Sequence, residues 1–262
     1  MKQTRPALRY FGGKWRLADW IVSHLPPHRV YVEPFCGAAS VLFKKPRSYA
    51  EVINDLDDSI FNLFSVMRCP RAHRDLKASL ESTAYSRREF ELAHVFHPDP
   101  VESARRLIIR SFMGFGADSV TNIESKTGFR SNSNRSGTTP AHDWINYPSQ
   151  IVAIHERLKG VVIENRDAFD LMKTHDGPET VFYIDPPCHS DTRRSGRYQF
   201  EFSHDDHVRL IEVMRELKGA CVVSGYEHPL YDSLGWTKHV KEARADKAGK
   251  RLECIWIKEA HE

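Results

Sequence analysis

Apolar and polar positions along the chain follow two rhythms. In "RLADWIVSHL" (Arg16 to Leu25), Leu17, Trp20, Ile21 and Leu25 fall on one helical face, and "PPHR" stops the helix. "VYVEPF" (Val30 to Phe35) is then a short apolar strand, and the small residues of "CGAAS" allow a sharp turn into a helix through "VLF". A second strand, "AEVIND" (Ala50 to Asp55), leads into the helical "DDSIFNLFSVM" (Asp57 to Met67). The strand rhythm returns after residue 150 in "GVVIEN" (Gly160 to Asn165), "TVFYID" (Thr180 to Asp185), "GACVVSG" (Gly219 to Gly225) and a late "RLECIWIK" (Arg251 to Lys258). Short apolar strands alternating with helices predict an α/β fold with a mostly parallel sheet covered by helices.

Between Met67 and about Ser149 the pattern changes. A charged helical stretch, "YSRREFELAHVF" (Tyr85 to Phe96), is followed by "VESARRLIIRSFMGFG" (Val101 to Gly116) and a polar run. Residues 67–149 therefore read as an inserted, mainly helical subdomain within a main domain of residues 1–66 and 150–262. The chain shows no internal repeat.

Composition narrows the classes without deciding between them. The 262 residues suffice for one α/β domain with an insertion. Five cysteines without a CxxC pair suit a reducing cytoplasm, and the opening "MKQTRPALRYFGGK" lacks the apolar centre of a secretory signal. No run approaches a membrane span. A formal charge of +3 permits nucleic-acid binding without requiring it. The fourteen histidines are scattered, so no metal site is expected.

In a sheet of this kind ligands bind beyond the carboxyl ends of the strands. "VEPFCGAAS" places Glu33 at one such end and Gly37 where a backbone must approach a ligand, yet it has neither a phosphate-loop ending nor GxGxxG spacing. Asp55 ends the second strand and has two readings: an acceptor for ribose hydroxyls, or a cap for the next helix. Ribose binding without a phosphate loop points to an adenosyl cofactor.

"RYFGGK" (Arg9 to Lys14), "VEPFCGAAS" (Val32 to Ser40), "INDLD" (Ile53 to Asp57), "NRDAF" (Asn165 to Phe169) and "YIDPPC" (Tyr183 to Cys188) occur in the order found in the Dam-like DNA adenine methyltransferases, many of them phage-encoded. The chain resembles that family over nearly its whole length. The resemblance implies a Rossmann-like, S-adenosyl-L-methionine-dependent methyltransferase fold acting on double-stranded DNA, as a monomer. Carried over by position, Tyr10, Gly12 and Lys14 would lie near the methionine end of the cofactor. Glu33, Phe35 and Gly37 would form its cradle, Asp55 would hold the ribose, and Asp167 with Phe169 would bound the adenine. The insertion would recognise the target sequence.

The insertion also carries "SKTGFRSNSNRSGTTP" (Ser125 to Pro140), with three cations, no acidic residue and one aromatic, Phe129. Lys126, Arg130, Asn132, Asn134 and Arg135 are of the types that reach phosphates and base edges, and Arg193, in the loop after "DPPC", is placed to follow a DNA backbone.

One position departs from the family. The resembled motif is DPPY, in which the aspartate and a proline carbonyl accept hydrogen bonds from the target amino group and the ring stacks on the flipped base; here the motif is Asp185, Pro186, Pro187, Cys188. Two chemistries follow. A thiolate at Cys188 could add to carbon 6 of cytosine and open carbon 5 to methylation, with His189, Arg193 or Arg194 lowering its pKa and Asp185 binding the ring edge. That is the first expectation. The alternative is methylation of the adenine amino group, with another ring, Tyr198 or Phe200, moving into the gap, and a third reading is an inactive DNA-binding relative. "SGYEHPLY" (Ser224 to Tyr231) could line the target pocket through Tyr226 or His228.

Overall fold

The computed structural model describes residues 3–116, 127–131, 138–192, 198–245 and 249–260. Seven strands form one sheet: β1 (Val30–Glu33), β2 (Ala50–Asn54), β3 (Val161–Glu164), β4 (Thr180–Ile184), β5 (Ala220–Tyr226), β6 (Thr237–Ala245) and β7 (Gly249–Lys258). Their order is β3-β2-β1-β4-β5-β7-β6. All pairs are parallel except those of β7, which runs antiparallel to both β5 and β6. The expected strands are present at their expected places. The addition is β6, whose polar sequence, "TKHVKEARA", conceals an edge strand.

Parallel strands covered on both faces are apolar throughout, and β4, "TVFYI", is buried at every position. From β1 the chain winds outward through β2 to β3, then crosses back to place β4 on the other side of β1. This reversal makes a topological switch point between β1 and β4, with a crevice at their carboxyl ends. The register brings Val32 opposite Phe182 and Glu33 opposite Ile53. Glu33, Asp55 and Asp185 therefore leave the sheet at one edge, each at or just beyond the end of its strand.

Residues 67–149 include helices at Ala72–Glu81, Arg87–Leu92, Pro100–Met113 and Pro140–Ile145. Side-chain caps mark three of their starts, with Ser86, Asp99 and Thr139 accepting from the third amide beyond them. These helices do not enclose a separate core. Leu76, Leu80, Phe90, Leu107, Ile108, Phe112 and Trp144 join one continuous apolar cluster with Ile60, Leu63 and Phe64 of helix Asp58–Arg68 and with Ile53 of β2. The described part of residues 67–149 thus shares the apolar core on the sheet's face. Among the described residues no helix is long and apolar enough to cross a membrane.

Candidate active site

A cavity of about 430 Å³ opens at the switch point. All nine residues expected to hold a cofactor line it: Tyr10, Gly12, Lys14, Glu33, Phe35, Gly37, Asp55, Asp167 and Phe169. The turn after β1 explains how the backbone enters the wall. Gly37 has φ +47°, and a Cβ there would stand 2.9 Å from two ring carbons of Tyr10. Only glycine fits such a turn without displacing the ring.

Asp55 resolves one of the two readings left open by the sequence. Its Oδ2 accepts from the Gly37 amide at 2.8 Å and its Oδ1 from the Asp57 amide at 3.0 Å. The next helix is capped instead by Asp57, which accepts from the Ser59 amide at 2.8 Å. Asp55 is free to face the cavity, where burial raises its pKa to about 6. Glu33 is more deeply placed and accepts from the Tyr31 hydroxyl at 2.8 Å. Burial pushes its pKa up to about 8, outweighing that hydrogen bond. Its carboxyl is therefore mostly protonated at neutral pH in the free protein.

The far end of the cavity is aromatic. Phe202 lies 5.6 Å from Phe35 at 80° and 6.2 Å from Phe169 at 19°, and the Arg209 guanidinium sits 4.2 Å over the Phe169 ring. Asp167 lines this end while its side chain caps helix Ala168–Thr174 through the Phe169 and Asp170 amides. Asn54 binds the surrounding loops together. It donates to the carbonyls of Pro34 and Arg166 and accepts from the Arg166 amide.

At the near end Asp185 leaves β4 into the Asp-Pro-Pro-Cys loop. Both carboxylate oxygens face the Lys14 ammonium, at 2.8 and 3.0 Å, and the Ser224 hydroxyl donates to Oδ1 at 2.8 Å. Burial, the largest single effect, would lower the Lys14 pKa, but the charges of Asp185, Glu253, Tyr183 and Cys188 together outweigh it and hold the ammonium well above its usual value. Pro186 is buried and Pro187 lines the cavity.

Cys188 does not have the surroundings of a nucleophile. Burial raises its pKa, and the lowering effects of the Lys14 charge and the Tyr198 hydrogen bond do not reverse that. Its recorded neighbour is a ring: Tyr198 donates its hydroxyl to Sγ at 3.7 Å. Of the expected activators, His189 engages Asp191 and His204, while Arg193 and Arg194 lie outside the described residues. Tyr198 packs edge-on to Phe11 at 5.1 Å and lines the cavity, as does the more exposed Phe200.

The DNA-contacting expectations are placed only in part. Lys126, Asn132, Asn134, Arg135 and Arg193 lie outside the described residues. The Arg130 backbone is clamped by the Met113 carbonyl and the Tyr85 hydroxyl, and its guanidinium donates to the Phe112 carbonyl at 3.3 Å. Phe129 packs against Tyr85 and Phe90, which makes it an anchor for the loop. The histidines, scattered in sequence, are not scattered in space: His189, His204, His207 and His228 meet beside the Asp-Pro-Pro-Cys loop.

Sequence reasoning missed Phe202, Arg209, Asn54 and Ser224. Phe202 carried a faint signal in the spaced aromatics of "YQFEF", and Asn54 sat inside a quoted motif. Ser224 had none, because its role depends on β5 lying beside β4.

A doubly wound sheet with a glycine turn after β1 and a cavity-lining carboxylate just after β2 has the form of a Rossmann-like methyltransferase fold. The model of the D12 class N6 adenine-specific DNA methyltransferases matches residues 10–246, and the chain belongs to that family. That family is described as one of N6 adenine-specific DNA methyltransferases. The chain is 35% identical to a DNA adenine methylase of Serratia marcescens over 68 residues, which is 26% of this chain and 25% of that protein. It is 35% identical to one of Escherichia coli K12 over 68 residues, 26% of this chain and 24% of that protein. The aligned segments thus span about a quarter of these curated relatives. Among solved structures, a putative methyltransferase, yhhF, of Escherichia coli aligns over 94% of this chain and 84% of its own, with TM-score 0.36 and 10% identity. An rRNA methylase of Streptococcus thermophilus aligns over 94% and 96%, with TM-score 0.36 and 7% identity.

Proposed function

We propose that this protein methylates the exocyclic amino group of adenine in double-stranded DNA. The adenine specificity named for its family favours this target over cytosine carbon 5. The observation that carries it on the chain's own residues is the pairing of a raised-pKa thiol at Cys188 with an aromatic ring, Tyr198, at the mouth of the cavity. Covalent attack on cytosine needs a thiolate, and burial opposes one here. Adenine methylation needs an acceptor for the amino group and a ring for the base, and Asp185 and Tyr198 supply both.

The cavity fits the cofactor. Glu33 offers a buried acid to a cationic group, Asp55 an acceptor to ribose hydroxyls, and Phe35, Phe169 and Phe202 flat apolar walls to adenine. S-adenosyl-L-methionine, when bound, supplies an electrophilic methyl group. The ammonium of Lys14 holds the Asp185 carboxylate in place, so that it can accept a hydrogen bond from the amino group of a flipped base. The Pro186 carbonyl serves as the second acceptor, which together with Asp185 leaves the nitrogen lone pair directed at the donor. The Tyr198 ring stacks on the base, a contact worth about 1–3 kcal/mol. The polar run with Lys126, Asn132, Asn134 and Arg135 contacts DNA, with Arg193 on the backbone, and Arg130 is held by the Met113 carbonyl. The protein works in the cytoplasm, in keeping with five cysteines that form no disulfide.

Labelled methyl transfer to mixed-sequence duplex DNA tests the target. The label should persist when every cytosine in the duplex is replaced by 5-methylcytosine. Loss of label on that substrate would restore the cytosine reading, and no label on either would favour an inactive DNA binder.

A further inference from the structure

Four imidazoles converge behind the Asp-Pro-Pro-Cys loop, on three segments far apart in sequence. His189 and Asp191 lie in the loop itself, His204 and His207 on helix His204–Glu216, and His228 at the start of helix Pro229–Asp232. His189 lies 4.3 Å from His228 and 5.2 Å from His207, measured between ring centroids. Its Nε2 is 3.1 Å from His204 Nδ1, and its Nδ1 is 3.6 Å from Asp191 Oδ2. One ligating atom each from His189, Asp191 and His228 falls within 4.8 Å of the other two.

We propose that His189, Asp191 and His228 form a binding site for a divalent transition-metal ion, a structural clip that fastens the Asp-Pro-Pro-Cys loop to the segment after β5. Bonds of about 2.0–2.1 Å to imidazole nitrogens require ligand atoms closer together than 4.8 Å, a gap that side-chain rotation in the exposed Asp191 can close. The donor set selects the ion: two imidazoles and one carboxylate suit zinc, cobalt or nickel, not magnesium or calcium. His204 then has the role of an outer partner on His189 Nε2, which turns Nδ1 toward the ion; Nδ1 accepts from the Asp191 amide at 3.3 Å, a contact that ligation would replace.

A second observation points the same way. His207 is buried, its Nδ1 is 2.7 Å from the Tyr231 hydroxyl, and its Nε2 has no hydrogen-bond partner among the described residues. A buried ring nitrogen without a partner is costly. His207 therefore stands as a polar neighbour beside the proposed ligand His189, 5.2 Å away between ring centroids. Neither the adenine reading nor the cofactor cavity uses any of these groups.

Cobalt(II) is the probe, because a four-coordinate site gives it intense visible absorption. The untagged full-length protein is titrated with cobalt chloride, and its melting temperature is read with cobalt, zinc or magnesium chloride. Two variants are chosen to remain folded: Asp191→Asn, at an exposed position, and His228→Asn, which keeps a good helix-capping side chain. The expected result is one cobalt per chain, displaced by zinc, a higher melting temperature with zinc but not with magnesium, and an affinity at least about tenfold weaker in each variant. Absence of cobalt binding, or binding unchanged in both variants, would overturn the proposal. Neither readout involves methyl transfer, so the site stands or falls apart from the enzyme's target.

Discussion

The hydroxyl of Tyr198 donates to the thiol of Cys188 across 3.7 Å. The resembled motif carries its aromatic residue at the fourth position; this chain has a small thiol there, and a tyrosine ten residues later meets that thiol. The exchange is tightly fitted on its other side. A Cβ on Gly12, where φ is +74°, would lie 2.7 Å from the Tyr198 hydroxyl.

Removing that ring should damage DNA methylation selectively. Tyr198→Ala is expected to lower kcat/KM for duplex DNA by roughly 5- to 150-fold, the equivalent of about 1–3 kcal/mol of lost stacking. Tyr198→Phe should keep most of the activity. Steady-state methyl transfer on all three proteins checks this, and an alanine variant as active as the parent would remove Tyr198 from the base pocket.

Cys188 should be dispensable for chemistry. Cys188→Ser is expected to stay within about threefold of the parent, the range of a mild substitution. The parent should form no covalent complex with 5-fluorocytosine duplex on a denaturing gel. Cys188→Tyr should not improve activity, because a second ring would collide with Tyr198.

The Lys14–Asp185 pair joins stability to catalysis. Asp185→Asn removes the charged acceptor and should cost about 100-fold or more in rate, and because it leaves the buried Lys14 ammonium without its anion it too should lose stability. Lys14→Met leaves a largely buried carboxylate without its cation, and denaturant titration should show a loss of about 3–5 kcal/mol. Combining the two changes should recover part of that stability, since neither partner is then charged.

Glu33 should give the free protein a pH signature. Its folded pKa of about 8 lies above the usual carboxylate value of 4.5, so the native state holds a proton that the unfolded chain releases. Its contribution is complete below the unfolded value and is lost as pH rises toward and through about 8. The melting temperature should therefore decline between about pH 5 and pH 8, and Glu33→Gln should flatten that decline. An identical slope in the variant would mean that Glu33 is ionised in the folded protein.

The strands and the cofactor wall were legible because local pattern determines them. Apolar runs in "TVFYID" and "GACVVSG" fix the sheet, and residues at strand ends share one edge in any doubly wound fold. Two things were not legible. The edge strand β6 is polar because one side meets solvent, so its periodicity is weak. Groups assembled from distant segments leave no spacing to read: Tyr198 meets Cys188, Ser224 meets Asp185, and the histidines collect at His189 only after folding. Cys188 was misleading for the same reason. Beside a proline it resembles a nucleophile, and only its burial and its tyrosine neighbour give it a different character.

The decisive measurement is the identity of the methylated base. Purified protein, S-adenosyl-L-methionine and unmethylated mixed-sequence duplex DNA are incubated, the DNA is digested to nucleosides, and the product is compared by mass spectrometry with 6-methyladenine, 4-methylcytosine and 5-methylcytosine nucleoside standards. The expected product is 6-methyladenine, from the parent and from Cys188→Ser alike. Formation of 5-methylcytosine by the parent, lost in Cys188→Ser, would contradict it and make Cys188 the nucleophile.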